Sequence, residues 1–137
     1  MLNSPEVNAW SGVAFERVCL QHILQIKRAL GISGVYTEVN AWQCEPDPDQ
    51  GIQGSQIDLL IVRKDQIINL CEMNYSEIDY YADAAFDRAQ RRKISDFQTK
   101  TKTKYAIHST LITTYGLGNN AYSGDIQSVI TVEDLFS

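Results

Sequence analysis

Two apolar runs separated by a two-residue turn constrain this chain more than any other feature. "SQIDLLIVR" (55–63) and "QIINLCEM" (66–73) flank Lys64-Asp65, a spacing that predicts an antiparallel hairpin. Neither run alternates cleanly between apolar and polar residues. Strands this apolar are covered on both faces, so the fold must supply packing layers on each side of the sheet.

The candidate layers are visible nearby. In "SGVAFERVCLQHILQIKRALGISG" (11–34), Phe15, Val18, Cys19, His22, Ile23, Ile26 and Leu30 recur at helical spacing. Ser11 is the predicted cap and Gly31 the predicted stop. Residues 79–99, "DYYADAAFDRAQRRKISDFQT", have helical composition, with Ala82, Ala85, Phe86, Ala89, Lys93 or Ile94, and Phe97 along one side. "GVYTEVNAWQC" (34–44) and "KYAIHSTLITTYG" (104–116) read as strands, and "EPDPDQGIQG" (45–54) as a turn-rich loop. "SVITVEDLFS" (128–137) adds a short strand and a helical turn capped by Thr131. The predicted order is α-β-β-β-α-β-(β)-α, an α/β fold in which helices flank a mixed sheet.

With 137 residues and no internal linker, the chain is expected to form one domain with a single core. No apolar stretch approaches the roughly 20 residues that span a bilayer, and "MLNSPEVNAW" lacks the basic and apolar blocks of a signal peptide. These features predict a soluble, cytoplasmic protein with no membrane partner. Cys19, Cys44 and Cys71 form no CxxC pair, which argues against a zinc or redox centre; Cys19 and Cys71 are expected as reduced core residues. The net charge of −5 argues against a nucleic-acid coat protein but not against a nuclease, whose metal site is itself acidic.

Two carboxylates stand out by position. Asp58 opens a strand just after a Gly-rich loop, and Glu72 closes one that otherwise reads "IINLC". Strand alternation places Gln56 and Asp58 on one face and Glu72 with Asn74 on the facing position of the next strand. In the simplest register Asp58 and Glu72 lie side by side, where they repel unless a cation sits between them. A hard divalent ion with oxygen ligands suits such a pair. The plainer alternative, two solvated carboxylates at sheet edges, stays open at this point. His22, on the apolar stripe, reads as a packed core residue, and His108 has no carboxylate partner in view. Tyr80, Tyr81, Trp10 and Trp42 read as core or edge aromatics.

These residues resemble the PD-(D/E)XK nuclease superfamily, which has the restriction-endonuclease-like fold. Its pattern of a helix-borne Glu, a strand Asp and Glu-x-Lys maps onto Glu16, Asp58 and Glu72-Met73-Asn74. More narrowly, "FERVCLQHILQIKRALGISGV", "GSQIDLLIVRKDQIINLCEMNYSE" and "TYGLGNNAYSGDIQSVITVEDLF" are similar to the C-terminal nuclease-like domain of prokaryotic AAA-type ATP-binding proteins. That resemblance runs from about Ser11 to Phe136. No GxxxxGK[ST] phosphate loop occurs, so the ATPase part is absent.

The resemblance implies a metal-dependent DNA endonuclease in which Asp58 and Glu72 ligate Mg²⁺ or Mn²⁺. The Met73 carbonyl and Glu16 would complete the site, with Gln56 lining the same pocket. It also implies an AAA-type ATPase domain or partner, and homo-oligomers are compatible with it. Asn74 occupies the position of the motif lysine and carries no charge. Lys93, on the following helix, is the candidate for a relocated lysine. Arg91 and Arg92 beside it are candidate substrate contacts, while "KTKTK" (100–104) reads as a solvated basic turn. The alternative function is a catalytically inactive relative that keeps the fold and binds DNA or an ATPase partner.

Overall fold

The computed structural model describes the backbone from residue 5 and side chains from residue 11 onward. The elements are α1 (Pro5–Leu20), α2 (Ile23–Ala29), β1 (Thr37–Cys44), β2 (Ser55–Arg63), β3 (Ile67–Asn74), α3 (Ala84–Thr101), β4 (Ala106–Thr113), β5 (Ser128–Thr131) and α4 (Val132–Leu135). The five strands form one mixed sheet in the order β1-β2-β3-β4-β5. The first three make an antiparallel meander; β3–β4 and β4–β5 are parallel. The expected α/β architecture is therefore present. No helix among the described residues is long and apolar enough to cross a membrane.

Both sheet faces are covered, as the apolar runs required. Phe15, Cys19 and Ile26 pack with Leu59, Ile61, Cys71, Ile112, Ile130 and Leu135 on one face. Phe97 of α3 packs with Ile57, Leu60, Ile68 and Leu70 on the other, joined by Trp42, whose ring meets Phe97 edge-on at 5.1 Å. Tyr80 packs edge-on against Phe86, and Tyr81 is exposed. The side chain of Trp10 lies outside the described residues.

The first helical segment departs from its predicted form in two ways. It begins at Pro5, so Ser11 lies inside α1 rather than capping it. It also breaks at Gln21–His22. The His22 ring nitrogen Nδ1 sits 2.6 Å from the Val18 carbonyl, the acceptor that an unbroken helix would offer to the His22 backbone N–H. That N–H turns instead to the Cys19 carbonyl, and the ladder tightens and stops. α3 likewise starts at Ala84 rather than Asp79, because the Asp83 side chain accepts from the Phe86 N–H at 2.8 Å and caps it. Thr131 caps α4 as expected, with Asp134 accepting from the Thr131 N–H at 2.9 Å.

Where β3 and β4 leave the sheet, their exits are joined. Ser76 N–H donates to Thr114 Oγ1 (3.0 Å), Tyr80 N–H to the Gly116 carbonyl (2.7 Å) and Gly118 N–H to the Tyr80 carbonyl (2.8 Å).

Candidate active site

The decisive local feature is an extra residue in β2. Asn40 pairs with Leu60 while Trp42 pairs with Ile57, so Ala41 stands opposite both Asp58 and Leu59. This bulge resets the alternation. Ile57 and Leu60 point towards α3, whereas Leu59 and Ile61 point towards α1. Asp58 is turned to the α1 side, where the Glu16 carboxyl is hydrogen-bonded to it. Gln56 supports the arrangement by donating its amide to Asp58 Oδ1 at 2.9 Å.

Glu72 goes the other way. The pairing of β2 with β3 ends at Leu59–Cys71, so Asp58 and Glu72 are the first residues beyond the last pair. Cys71 packs on the α1 side, and alternation sends Glu72 towards α3. There its Oε2 accepts from Lys93 Nζ at 2.9 Å and from Gln90 Nε2 at 3.1 Å. The expectation that Asp58 and Glu72 share one face thus fails at the bulge, although they remain register neighbours across a strand splay.

The electrostatics still join the two sides. Burial, the hydrogen bond to Asp58 and the negative charges of Asp58 and Glu72 all hold the Glu16 carboxyl above the usual glutamate range. Glu16 is therefore the meeting point of the three acids. Among the described residues, however, no group of three or more His, Cys, Asp or Glu side chains is placed to hold a metal ion together. What fits a cation is the Glu16–Asp58 pair, two neighbouring carboxyls whose mutual repulsion a positive charge would relieve.

Asn74 and Met73 lie at the exit of β3, where they line a cleft of about 450 Å³ with Glu16, Gly12, Tyr75 and Ser76. The Met73 side chain packs against the α1-side core, and Met73 pairs with Ile112 on its β4 side. Asn74, two residues from Glu72, shares the α3-facing side of the strand.

The two arginines proposed as substrate contacts behave differently. Arg91 is tied at both ends, to Asp87 at 2.9 Å and to Asp125 at 2.7 Å, so it links α3 to the turn before β5 and is not poised for a ligand. Arg92 is half-buried and makes no ion pair or hydrogen bond among the described residues; its Nε is covered and unpartnered. Lys100, Lys102 and Lys104 are exposed, in keeping with a solvated turn.

Two further residues escaped the sequence reading. Gln90 is 6% exposed yet polar, and one of its amide atoms, Oε1, is buried without a partner. Asp96 is 2% exposed and accepts from Ser55 Oγ at 2.6 Å and Gln53 N–H at 3.1 Å, fastening α3 to the end of the β1–β2 loop. Their spacing offers the one available signal: Gln90, Lys93 and Phe97 recur on the helix side that meets the sheet. Cys19 and Cys71 are buried and free; burial pushes the Cys19 thiol up to about 12 and raises that of Cys71 as well.

The chain matches no known family model and no curated protein. Among solved structures it is similar to a protein of unknown function, AF1548, with 16% identity and a TM-score of 0.54. The match covers 86% of this chain and 64% of that protein, so the chain spans less than two thirds of its neighbour's length. At this identity the likeness concerns the fold alone.

Proposed function

We propose that this chain is a metal-dependent nuclease domain of the PD-(D/E)XK type that hydrolyses DNA phosphodiester bonds, with Lys93 in place of the motif lysine. The carrying observation is the charge arrangement at the sheet splay. Glu16 and Asp58 form a carboxyl pair that raises the Glu16 carboxyl above its usual range, while Lys93 is bonded to Glu72 at 2.9 Å. Mg²⁺ or Mn²⁺ is the cofactor in this reading. It would be held by Glu16 and Asp58, with Glu72 and the Met73 carbonyl on the adjoining strand, and would supply Lewis acidity and a more acidic bound water.

The chain's own residues then have distinct tasks. Gln56 orients Asp58. Gln90 and Lys93 converge on the same oxygen of Glu72, fixing the carboxylate from the α3 side and leaving Oε1 available. Lys93 brings the positive charge that Asn74 lacks and offsets charge developing on the phosphoryl group. The cleft of about 450 Å³ beside Glu16 and Asn74 receives the scissile phosphate. An AAA-type ATPase domain or partner, and homo-oligomers, belong to the same proposal through the resemblance described above.

The test is plasmid cleavage in Mn²⁺ by the wild type, by Lys93→Ala and by Lys93→Ala with Asn74→Lys. Loss of one electrostatic partner is expected to slow cleavage about 10²–10³-fold. The second substitution should restore part of it, because residue 74 shares the strand side of Glu72. Wild-type protein that binds no Mn²⁺ and cuts no DNA would sink this reading.

The inactive alternative is favoured by a specific observation: Glu72 is already neutralised by Lys93. In that case Asn74→Lys alone would confer cleavage, and Lys93→Ala would affect stability only.

A further inference from the structure

Arg92 presents an unusual energetic situation. It is half-buried, and its guanidinium makes no hydrogen bond or ion pair among the described residues. Only its Nε is covered without an acceptor, which carries a desolvation cost, while its two terminal nitrogens stay open to solvent and free to take an anion. Its neighbour Arg91 shows the contrast, having engaged two carboxylates.

The surroundings of Arg92 form a channel. Asp96, one turn further along α3, anchors the helix to Gln53 and Ser55 and so fixes its height above the β1–β2 loop. Arg88, Arg92 and Asp96 are spaced by four residues and share one helix side. Arg88 and Arg92 with Gln53 line a groove of about 530 Å³. Arg92 and Gln53 also line a second groove of about 390 Å³, which continues past Gly54 to Gln56. Gln56 is the residue that holds Asp58. The two grooves therefore share Arg92 and Gln53, and the second reaches the edge of β2 at Gln56. Glu45 stands at the rim of the second groove, so anion density is favoured on the Arg88 side.

We propose that the groove between α3 and the β1–β2 loop seats a backbone phosphate of a bound DNA strand, held by Arg88 and Arg92. This deepens the nuclease reading and rests on it for the identity of the ligand. A guanidinium presents a planar fork of donors that matches phosphate oxygens, and two of them a helical turn apart suit one phosphodiester. With a net charge of −5, the chain needs such a local cationic seat to hold nucleic acid.

The test is fluorescence anisotropy of a labelled DNA duplex at several salt concentrations, in EDTA, so that neither metal nor cleavage is required. The expected result for Arg88→Gln with Arg92→Gln is at least a tenfold weaker Kd and a salt slope shallower by about 1–2. Lys100→Gln with Lys104→Gln, which changes the same number of charges, should weaken binding by less than twofold. Arg88→Gln alone guards against misfolding because Arg88 is exposed, and it should lower the slope by about 1. Unchanged affinity and slope in the arginine variants, or an equal loss in the lysine variant, would overturn the proposal. Mn²⁺ titration and plasmid cleavage of the same proteins separate the two readings. Arginine-dependent binding without cleavage keeps the groove and removes the nuclease; cleavage with arginine-independent binding does the reverse.

Discussion

The two sides of the sheet treat their acids in opposite ways. On the α1 side, Glu16 and Asp58 meet with no basic side chain among the described residues within ion-pair distance, and their repulsion helps to raise the Glu16 carboxyl. On the α3 side, Glu72 is met by Lys93 and Gln90. One side retains a demand for positive charge; the other has met it from within the chain. In the proposed reading, the contrast separates the side that would bind a cation from the side that would position and balance it.

The largest effect should come from removing that demand. Asp58→Asn is expected to weaken Mn²⁺ binding by more than about 100-fold in calorimetry, whereas Glu72→Gln weakens it only about tenfold, in the range of a supporting ligand. Equal losses would erase the distinction between the two sides. Next in size is the anchor of α3. Asp96→Ala leaves the Ser55 hydroxyl and Gln53 N–H without their acceptor and should lower unfolding free energy by about 2–4 kcal/mol in urea titration.

A smaller effect concerns pH. The Glu16 carboxyl is held above its ordinary value of 4.5, so the folded state favours its protonated form. Stability from this group is full below that value and is lost as pH rises through the raised one. Glu16→Gln should therefore raise Tm at about pH 7.5 but not at about pH 4, while reducing Mn²⁺ affinity. A variant that melts lower at both pH values would show that Glu16 is held by packing rather than strained by charge. Smallest is a labelling contrast. Iodoacetamide should modify half-buried Cys44 and spare Cys19 and Cys71, whose burial keeps them as thiols.

Much of this arrangement could be read from residues alone. The helical stripe through Phe15, Cys19 and Ile26, the β2–β3 hairpin and the α3 position of Lys93 follow from periodicity, although the hairpin turn takes three residues, with Gln66 at φ 69°, rather than the two expected at Lys64-Asp65. The bulge did not, because neither Gly nor Pro marks it. Its trace is the unbroken burial of Leu59, Leu60 and Ile61, which simple alternation forbids on a strand with one exposed face but permits on one covered twice. Gln90 and Asp96 were illegible for another reason. A polar residue on a charged helix looks solvated until the partner that buries it, Glu72 or Ser55, is brought from a distant strand. The break at His22 likewise depends on a ring choosing a carbonyl four residues back, a competition that composition does not record.

The lacing of the β3 and β4 exits has a kinetic consequence. Ser76, Tyr80 and Gly118 are bonded across to Thr114, Gly116 and back, so the segment that carries Ser76 at the cleft edge is held in place by the sheet exits themselves. If the proposed nuclease reading holds, entry of a strand past Tyr75 is expected to follow encounter frequency and ionic strength rather than a slow closing step.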